Sequence, residues 1–126
     1  WAAMEARCTS QAFNITNGDY FRWRNIWPKS AAALDMPVGK PETISLTQSM
    51  AGKAALWEEM ARKHQLEPIP YPDLAAWPFA DYVFGADWDV MSDVTKSLRY
   101  GFHKVVDSEE MFVRLLRRFR DERIVP

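Results

Sequence analysis

The sequence predicts a mainly α-helical chain with a few short strands, forming one part of a larger α/β fold. Apolar residues recur at helical spacing in its longer segments. Its strand-like apolar runs are short and isolated, so they cannot build a self-sufficient sheet. No glycine-rich turn of the phosphate-binding kind follows any of them. We therefore expect residues 1–126 to be a single domain that is one part of such a fold and encodes no dinucleotide-binding site.

Composition excludes several classes of protein. Lysine and arginine total 16 against 17 aspartates and glutamates, so no one-sided field attracts nucleic acid. The lone Cys8 cannot form an internal disulfide, which favours a reducing, cytoplasmic compartment. No apolar run reaches the ~20 residues of a spanning helix, so no membrane segment is expected. Position 1 is Trp1 rather than methionine, and we expect a longer gene product.

In the first third of the chain, Ala12–Thr16 is the first predicted strand, closed by the turn signal Asn17-Gly18-Asp19. Asp19 is then expected to cap a helix that Pro28 interrupts or bends. Most of the apolar side chains of that helix are expected to share one face; they are Tyr20, Phe21, Trp23, Ile26 and Trp27.

The middle of the chain predicts one long helix and an extended connector. Helical spacing of apolar residues runs from Ser45 to His64, and Gly52 weakens this helix only slightly. The segment Leu66–Pro72 contains three prolines and is therefore expected to be extended.

Two further helices follow, separated by a strand. Residues 77–84 form a short apolar helix, with proline in its first turn and Gly85 as its stop. A short strand is expected at residues 87–91, before a helix capped by Ser92 or Asp93. The last helix starts near Asp107. Its arginines favour a solvated face near the helix carboxyl end over a nucleic-acid site.

Signatures of catalysis by this chain itself are weak. The two histidines, His64 and His103, have no partner at metal-ligand spacing, so no metal site is expected. No serine lies in a nucleophile elbow. Tyr100 and Lys104 match the tyrosine-x-x-x-lysine spacing of a proton-donating pair. This short motif arises readily by chance, and the intervening Gly101 disfavours the helix that it requires, so we predict no catalytic role.

A family resemblance extends across nearly the whole chain. Residues 11–23, QAFNITNGDYFRW, resemble the late strand and turn of the progesterone 5β-reductase and iridoid synthase group, a branch of the extended short-chain dehydrogenase/reductases. Residues 77–81, WPFAD, resemble a second segment of that group, and residues 124–126 resemble its carboxyl terminus. Residues 93–102 are similar to a short helix and glycine-aromatic turn of extended members. In this alignment Tyr100 follows well after the family's catalytic tyrosine.

The resemblance implies a reductase that acts on an activated carbon-carbon double bond of an apolar enone or enal. It implies that residues 1–126 are a single carboxyl-terminal substrate-binding or lid domain that lacks the nucleotide-binding (Rossmann) half of the fold. The cofactor site, for NADPH or NADH, and the catalytic tyrosine and lysine then lie outside these residues. The fragment itself is then inactive and binds no cofactor. By position, Phe79 matches a pocket phenylalanine, and Tyr82 and Val83 match neighbours that face the substrate. Trp88 and Val90 fall near further wall positions.

Other interpretations stay open at this stage. Pro28 and the region 35–43 depart from the group's pattern, so the substrate is not fixed. An epimerase or dehydratase-like member would also match, although its pocket should hold more hydrogen-bonding groups. A helical protein-interaction module would use the apolar segment 77–84 as a groove. We also expect homo-oligomers to form through an exposed apolar face.

Overall fold

The computed structural model describes all 126 residues, which form seven α-helices and one 3₁₀ turn without any β-strand. The 3₁₀ turn, Ala6–Cys8, precedes the helices. The helices are α1 Trp23–Ala33, α2 Leu46–Ser49, α3 Ala54–His64, α4 Tyr71–Leu74, α5 Trp77–Phe84, α6 Thr95–Arg99 and α7 Ser108–Asp121. None of them is long and apolar enough to cross a membrane.

Helices α1 and α7 pack against each other. Ile26 and Ala33 of α1 are buried. Near the carboxyl end of α7, the Arg120 guanidinium donates to the carbonyl of Ala33, the last residue of α1, at 3.1 Å and to Asp35 at 2.7 Å. A capped amino terminus, an acidic first turn and two arginines in the last turn favour the long α7. This pair forms the largest helix contact of the chain.

The remaining packed pairs are α3 with α4 and α2 with α5. Trp57 of α3 is buried, and its indole N–H donates to the Ile69 carbonyl at 2.8 Å. The Tyr71 hydroxyl of α4 donates to the Met50 carbonyl. The first bond fastens the proline-rich connector to α3, and the second fastens α4 to the residue that follows α2. The extended connector that the sequence predicts therefore ends where α4 begins.

The amino-terminal segment packs against the turn that follows α6. Trp1 and Phe13 lie with ring centroids 4.9 Å apart, and Phe13 and Tyr100 lie 5.1 Å apart. Phe102 contacts Trp1 at 5.1 Å. Two of these contacts are edge-to-face and the third is tilted, and aromatic pairs prefer such geometries over a face-to-face sandwich. The first and last quarters of the chain are thereby joined.

The prediction of mainly helical structure is confirmed, but the predicted short strands are wrong. Residues 12–16 and 87–91 are irregular rather than paired. A strand needs a neighbouring strand for its backbone hydrogen bonds, and the segment near Ala12 has only the single bond from the Val106 amide to the Asn17 carbonyl. Both segments are therefore loops.

The predicted start of the first helix is also wrong. Helix α1 begins at Trp23, with Arg22 as its N-cap residue, so Tyr20 and Phe21 precede it. Asp19 does not cap it, because both of its carboxylate oxygens accept hydrogen bonds from Ser108 at the start of α7. Pro28 lies inside α1 without ending it. A proline in this position removes one backbone hydrogen bond, and packing against α7 supports the rest of the helix.

The single helix predicted for residues 45–64 is two helices. Helix α2 ends at Ser49 and α3 begins at Ala54. Gly52 between them has φ +70°, a left-handed conformation that a continuous right-handed helix cannot contain. The bounds of α5 and the start of α7 near Asp107 are as predicted.

The chain leaves an unusually large surface uncovered. Only six residues are buried, and the accessible surface is 10157 Å². A compact monomer of 14.6 kDa exposes about 6,900 Å², roughly 3,000 Å² less. Large apolar side chains contribute to the excess, since 19 of them are exposed. The chain therefore presents surface of the kind that another body of protein normally covers.

Candidate functional site

Helix α5 is the most apolar element of the chain, yet none of its residues is buried. Proline in the first turn favours its start, because the missing N–H has no partner there in any case. Gly85 follows its last residue and donates its amide to the Asp81 carbonyl at 2.9 Å. A helix that is apolar nearly all round normally lies inside a protein. Because α5 is exposed here, we consider it a candidate contact surface for a ligand or for another part of a protein.

Three of the five predicted substrate-binding residues lie together on α5. Phe79 and Tyr82 are 65% and 68% exposed, and Val83 beside them is half-buried. The rings of Phe79 and Tyr82 are tilted by 32°, with centroids 6.4 Å apart. At 100° per residue these three side chains lie within about 100° of arc, one side of the helix. We call Phe79, Tyr82 and Val83 the α5 face.

The other two predicted residues, Trp88 and Val90, lie in the loop between α5 and α6. They are 61% and 80% exposed, and Trp88 makes no aromatic contact with the α5 face. Between them, the Asp89 carboxylate accepts two hydrogen bonds from the Arg22 guanidinium, at 2.6 and 3.3 Å. The structure therefore places Trp88 and Val90 on a loop tethered to the start of α1, and does not join them to the α5 face.

The opposite side of α5 is held by aromatic rings from α1. Phe84 lies 4.9 Å from Trp23 and 6.3 Å from Trp27, measured between ring centroids. Phe112 of α7 adds an edge-to-face contact to Trp23 at 5.8 Å. Sequence reasoning did not find this cluster. It assigned Phe84 only to an apolar segment and could not see which side of the helix α1 covers.

Sequence reasoning also passed over Asp81, the single charged residue of α5. Its carboxylate accepts hydrogen bonds from the backbone amides of Leu46 and Thr47 and from the Ser45 hydroxyl, at 3.0 Å for Thr47 and 3.1 Å for Ser45. The Thr47 bonds, followed by those of Leu46 and Ser45, lower the pKa of Asp81 to about 2. A carboxylate within an otherwise apolar helix was the signal available in the sequence.

The turn Asn17-Gly18-Asp19, which carried much of the family resemblance, has a structural role. Asp19 accepts from the amide and the hydroxyl of Ser108, both at 2.7 Å, and these bonds lower its pKa. Asn17 donates to the same hydroxyl at 2.9 Å. The turn therefore binds the amino terminus of α7 from 89 residues away.

Groups considered for chemistry elsewhere in the chain are not assembled into a site. Helix α6 ends at Arg99, and Gly101 has φ +92°, so Tyr100 and Lys104 do not share a helical turn. No three histidine, cysteine or acidic side chains come together as a metal site would require. The depression between α1 and α7, of about 550 Å³, is lined by ion-paired charges such as Lys29 and Glu109. Such a lining does not suit an apolar ligand.

Comparison with known proteins gives relatives that match the chain over its whole length or nearly so. An (S)-8-oxocitronellyl enol synthase of Camptotheca acuminata is 34% identical over 130 residues, covering 100% of this chain and 33% of the relative. A 3-oxo-Delta(4,5)-steroid 5-beta-reductase of Arabidopsis thaliana is 29% identical over 129 residues, with the same coverage. A short chain dehydrogenase of Penicillium aethiopicum is 31% identical over 134 residues, covering 94% of this chain and 36% of the relative. No protein-family model matches.

These relatives confirm the resemblance to the progesterone 5β-reductase and iridoid synthase group. The chain spans about a third of the length of each of them. The absence of strands is consistent with the carboxyl-terminal helical part of an extended short-chain dehydrogenase/reductase.

Proposed function

We propose that this chain forms the substrate-facing wall of a NADPH- or NADH-dependent reductase that acts on an apolar enone or enal. The observation that carries the proposal is the α5 face, two exposed aromatic rings and a valine on a helix that buries nothing. Rings at such a surface offer flat apolar area to a hydrophobic substrate and exclude water from it. Similarity to a steroid reductase and an enol synthase supports this class of substrate.

Trp88 and Val90 belong to the proposal as a second part of the wall. The loop that holds them follows directly after α5 and is tethered by Asp89 to Arg22. A loop fastened at one point, with apolar side chains on either side of that point, suits a lid over a bound substrate. In the proposed enzyme the substrate lies between the lid, the α5 face and the nucleotide-binding half.

The residues of this chain do not fit the cofactor. Dinucleotide phosphates bind where a glycine-rich turn follows a strand and opens a helix, and this chain has no strand. Its glycines with positive φ lie in turns near Thr16, Met50 and Tyr100. In the proposal the cofactor therefore belongs to the other portion of the enzyme, and the 126 residues alone catalyse nothing.

The first test titrates the 126-residue chain into NADPH and follows cofactor fluorescence. We expect no saturable change at micromolar concentrations of either component. An (S)-8-oxocitronellyl enol synthase such as that of Antirrhinum majus is the positive control. Micromolar binding by the chain alone would contradict the proposal that the cofactor site lies outside these 126 residues. Tyr100 and Lys104 would then again be candidates for a catalytic pair.

The second test replaces the matched 130 residues of the Antirrhinum majus relative by this chain. We expect the chimera to consume NADPH in the presence of apolar enones or enals, with an order of preference that differs from the parent's. Cofactor binding and a cooperative melting transition establish that the chimera is folded. A folded, cofactor-binding chimera that reduces no enone or enal would overturn the proposal.

A further inference from the structure

Helix α5 has two unlike sides, and their positions follow from its helical geometry. With Phe79 taken as zero, Val83 lies at about 40° and Tyr82 at about −60° around the axis. Asp81 lies at about 200°, so it points roughly 150° away from the middle of the α5 face. The one charged residue of the helix is therefore on the side opposite the α5 face.

Asp81 is engaged entirely by the start of α2. Its three hydrogen-bond donors are consecutive, the Ser45 hydroxyl and the amides of Leu46 and Thr47. Those amides are among the donors that a helix amino terminus leaves without intrahelical partners. Ser45 also accepts from the Gln48 amide at 3.2 Å, so the turn is closed from within as well as from α5. A carboxylate at this place satisfies several otherwise free donors at once.

These bonds resist rotation of α5 about its axis. A turn that brought Phe79 or Tyr82 toward α2 would pull Asp81 out of reach of all three donors. On the same half of the helix, Phe84 contacts Trp23 and Trp27. Apolar contacts of this kind are not directional, whereas hydrogen bonds from two amides and a hydroxyl fix an orientation.

We infer that Asp81 is a positioning residue, which holds α5 in the one rotation that presents Phe79, Tyr82 and Val83 away from α2. This inference explains how the orientation of the α5 face is fixed. Its importance for catalysis rests on the proposed function. The orientation itself is a property of the 126 residues, so it is testable without a substrate. Asp81 touches neither substrate nor cofactor in this assignment.

The test compares the chain with Asp81→Asn, which keeps the size of the side chain and loses its charge. Asp87→Asn is the matched control, because Asp87 is exposed and forms neither a hydrogen bond nor an ion pair. In Asp81→Asn we expect the Leu46 and Thr47 amides to exchange with deuterium about tenfold faster. We also expect hydroxyl-radical labelling of Phe79 and Tyr82 to change about twofold or more, in line with the loss of a fixed orientation. Neither change is expected in Asp87→Asn.

Ser45→Ala supplies a second variant, which keeps the Asp81 carboxylate and its two amide donors but removes the hydroxyl bond to Asp81 together with the Gln48 bond that caps α2. Its labelling should shift in the same direction as that of Asp81→Asn, by less. Unchanged labelling of Phe79 and Tyr82 in both variants would overturn the inference, whatever happens to exchange. That result is distinct from an inactive chimera, which would remove the proposed function and leave the orienting role of Asp81 standing.

Discussion

Replacing Phe79 by alanine separates a ligand-facing side chain from a core side chain. Fully burying a phenylalanine stabilises a protein by about 1.5–3 kcal/mol. Phe79 is 65% exposed, so its burial in this chain contributes about a third of that value, roughly 0.5–1 kcal/mol, to stability. We therefore expect Phe79→Ala to lower the free energy of unfolding of the 126 residues by no more than about 1 kcal/mol.

The assay is urea denaturation of the chain, followed by circular dichroism. Ile26→Ala is the control, because Ile26 on α1 is only 1% exposed and its truncation leaves a cavity. Such truncations cost about 2–5 kcal/mol. A loss for Phe79→Ala as large as that for Ile26→Ala would refute the assignment of Phe79 to an open face.

In the chimera the same substitution removes packing against the substrate. Losing packing worth about 1–3 kcal/mol should lower kcat/KM by about 10- to 200-fold. If Phe79 instead packs against the nucleotide-binding half, the chimera should lose about 3–5 kcal/mol of stability with unchanged activity per folded molecule. Melting and kinetics of this one variant therefore distinguish a substrate wall from a domain interface.

Three further predictions follow from the contacts described above. The pKa of Asp81 is lowered from 3.8 to about 2, so its stabilising contribution is complete above about pH 5 and is lost progressively as the pH falls through 3.8 toward 2. The difference in melting temperature between the chain and Asp81→Asn should therefore shrink across that window, and a constant difference would contradict the Asp81 assignment. Asp19→Asn removes a charged acceptor from the start of α7 and should cost about 1 kcal/mol in urea denaturation, while Asp87→Asn costs almost nothing. The chain should self-associate through its uncovered apolar surface, giving a mass by light scattering that rises with concentration, whereas a strict monomer at high concentration would count against this.

Local signals in the sequence predicted the elements whose ends depend on their own residues. Helix α5 has proline in its first turn and glycine after its last, and both ends were predicted correctly. The start of α7 at Asp107 was found because a capping aspartate bonds an amide three residues later. In each case the interactions that fix the boundary lie within a few residues of it.

Errors arose where a distant residue decided the local structure. Aspartate is a common N-cap residue, and Asp19 lies shortly before a helix, but its carboxylate binds Ser108, 89 residues away. The supposed strand at Ala12–Thr16 has strand-like composition but no partner strand within this chain. Gly52 was judged by its average cost in a helix, whereas its left-handed conformation ends the helix altogether. Composition reports a preference, and long-range pairing determines whether the preference is met.

The same distinction governs the candidate site. Phe79, Tyr82 and Val83 could be assigned to one side of a helix from their spacing alone, and the structure places them on such a side. Spacing could not say whether that side is buried, because α5 is apolar nearly all round. Two contacts show which side of α5 faces the rest of the chain. Asp81 accepts hydrogen bonds from α2, and Phe84 packs on α1; both side chains point away from the α5 face. Phe84 is 49% exposed yet contacts two rings of α1, whereas Phe79 and Tyr82 are 65% and 68% exposed and their rings make aromatic contact only with each other. In the proposal, a substrate supplies the contacts that the rings of Phe79 and Tyr82 lack within this chain.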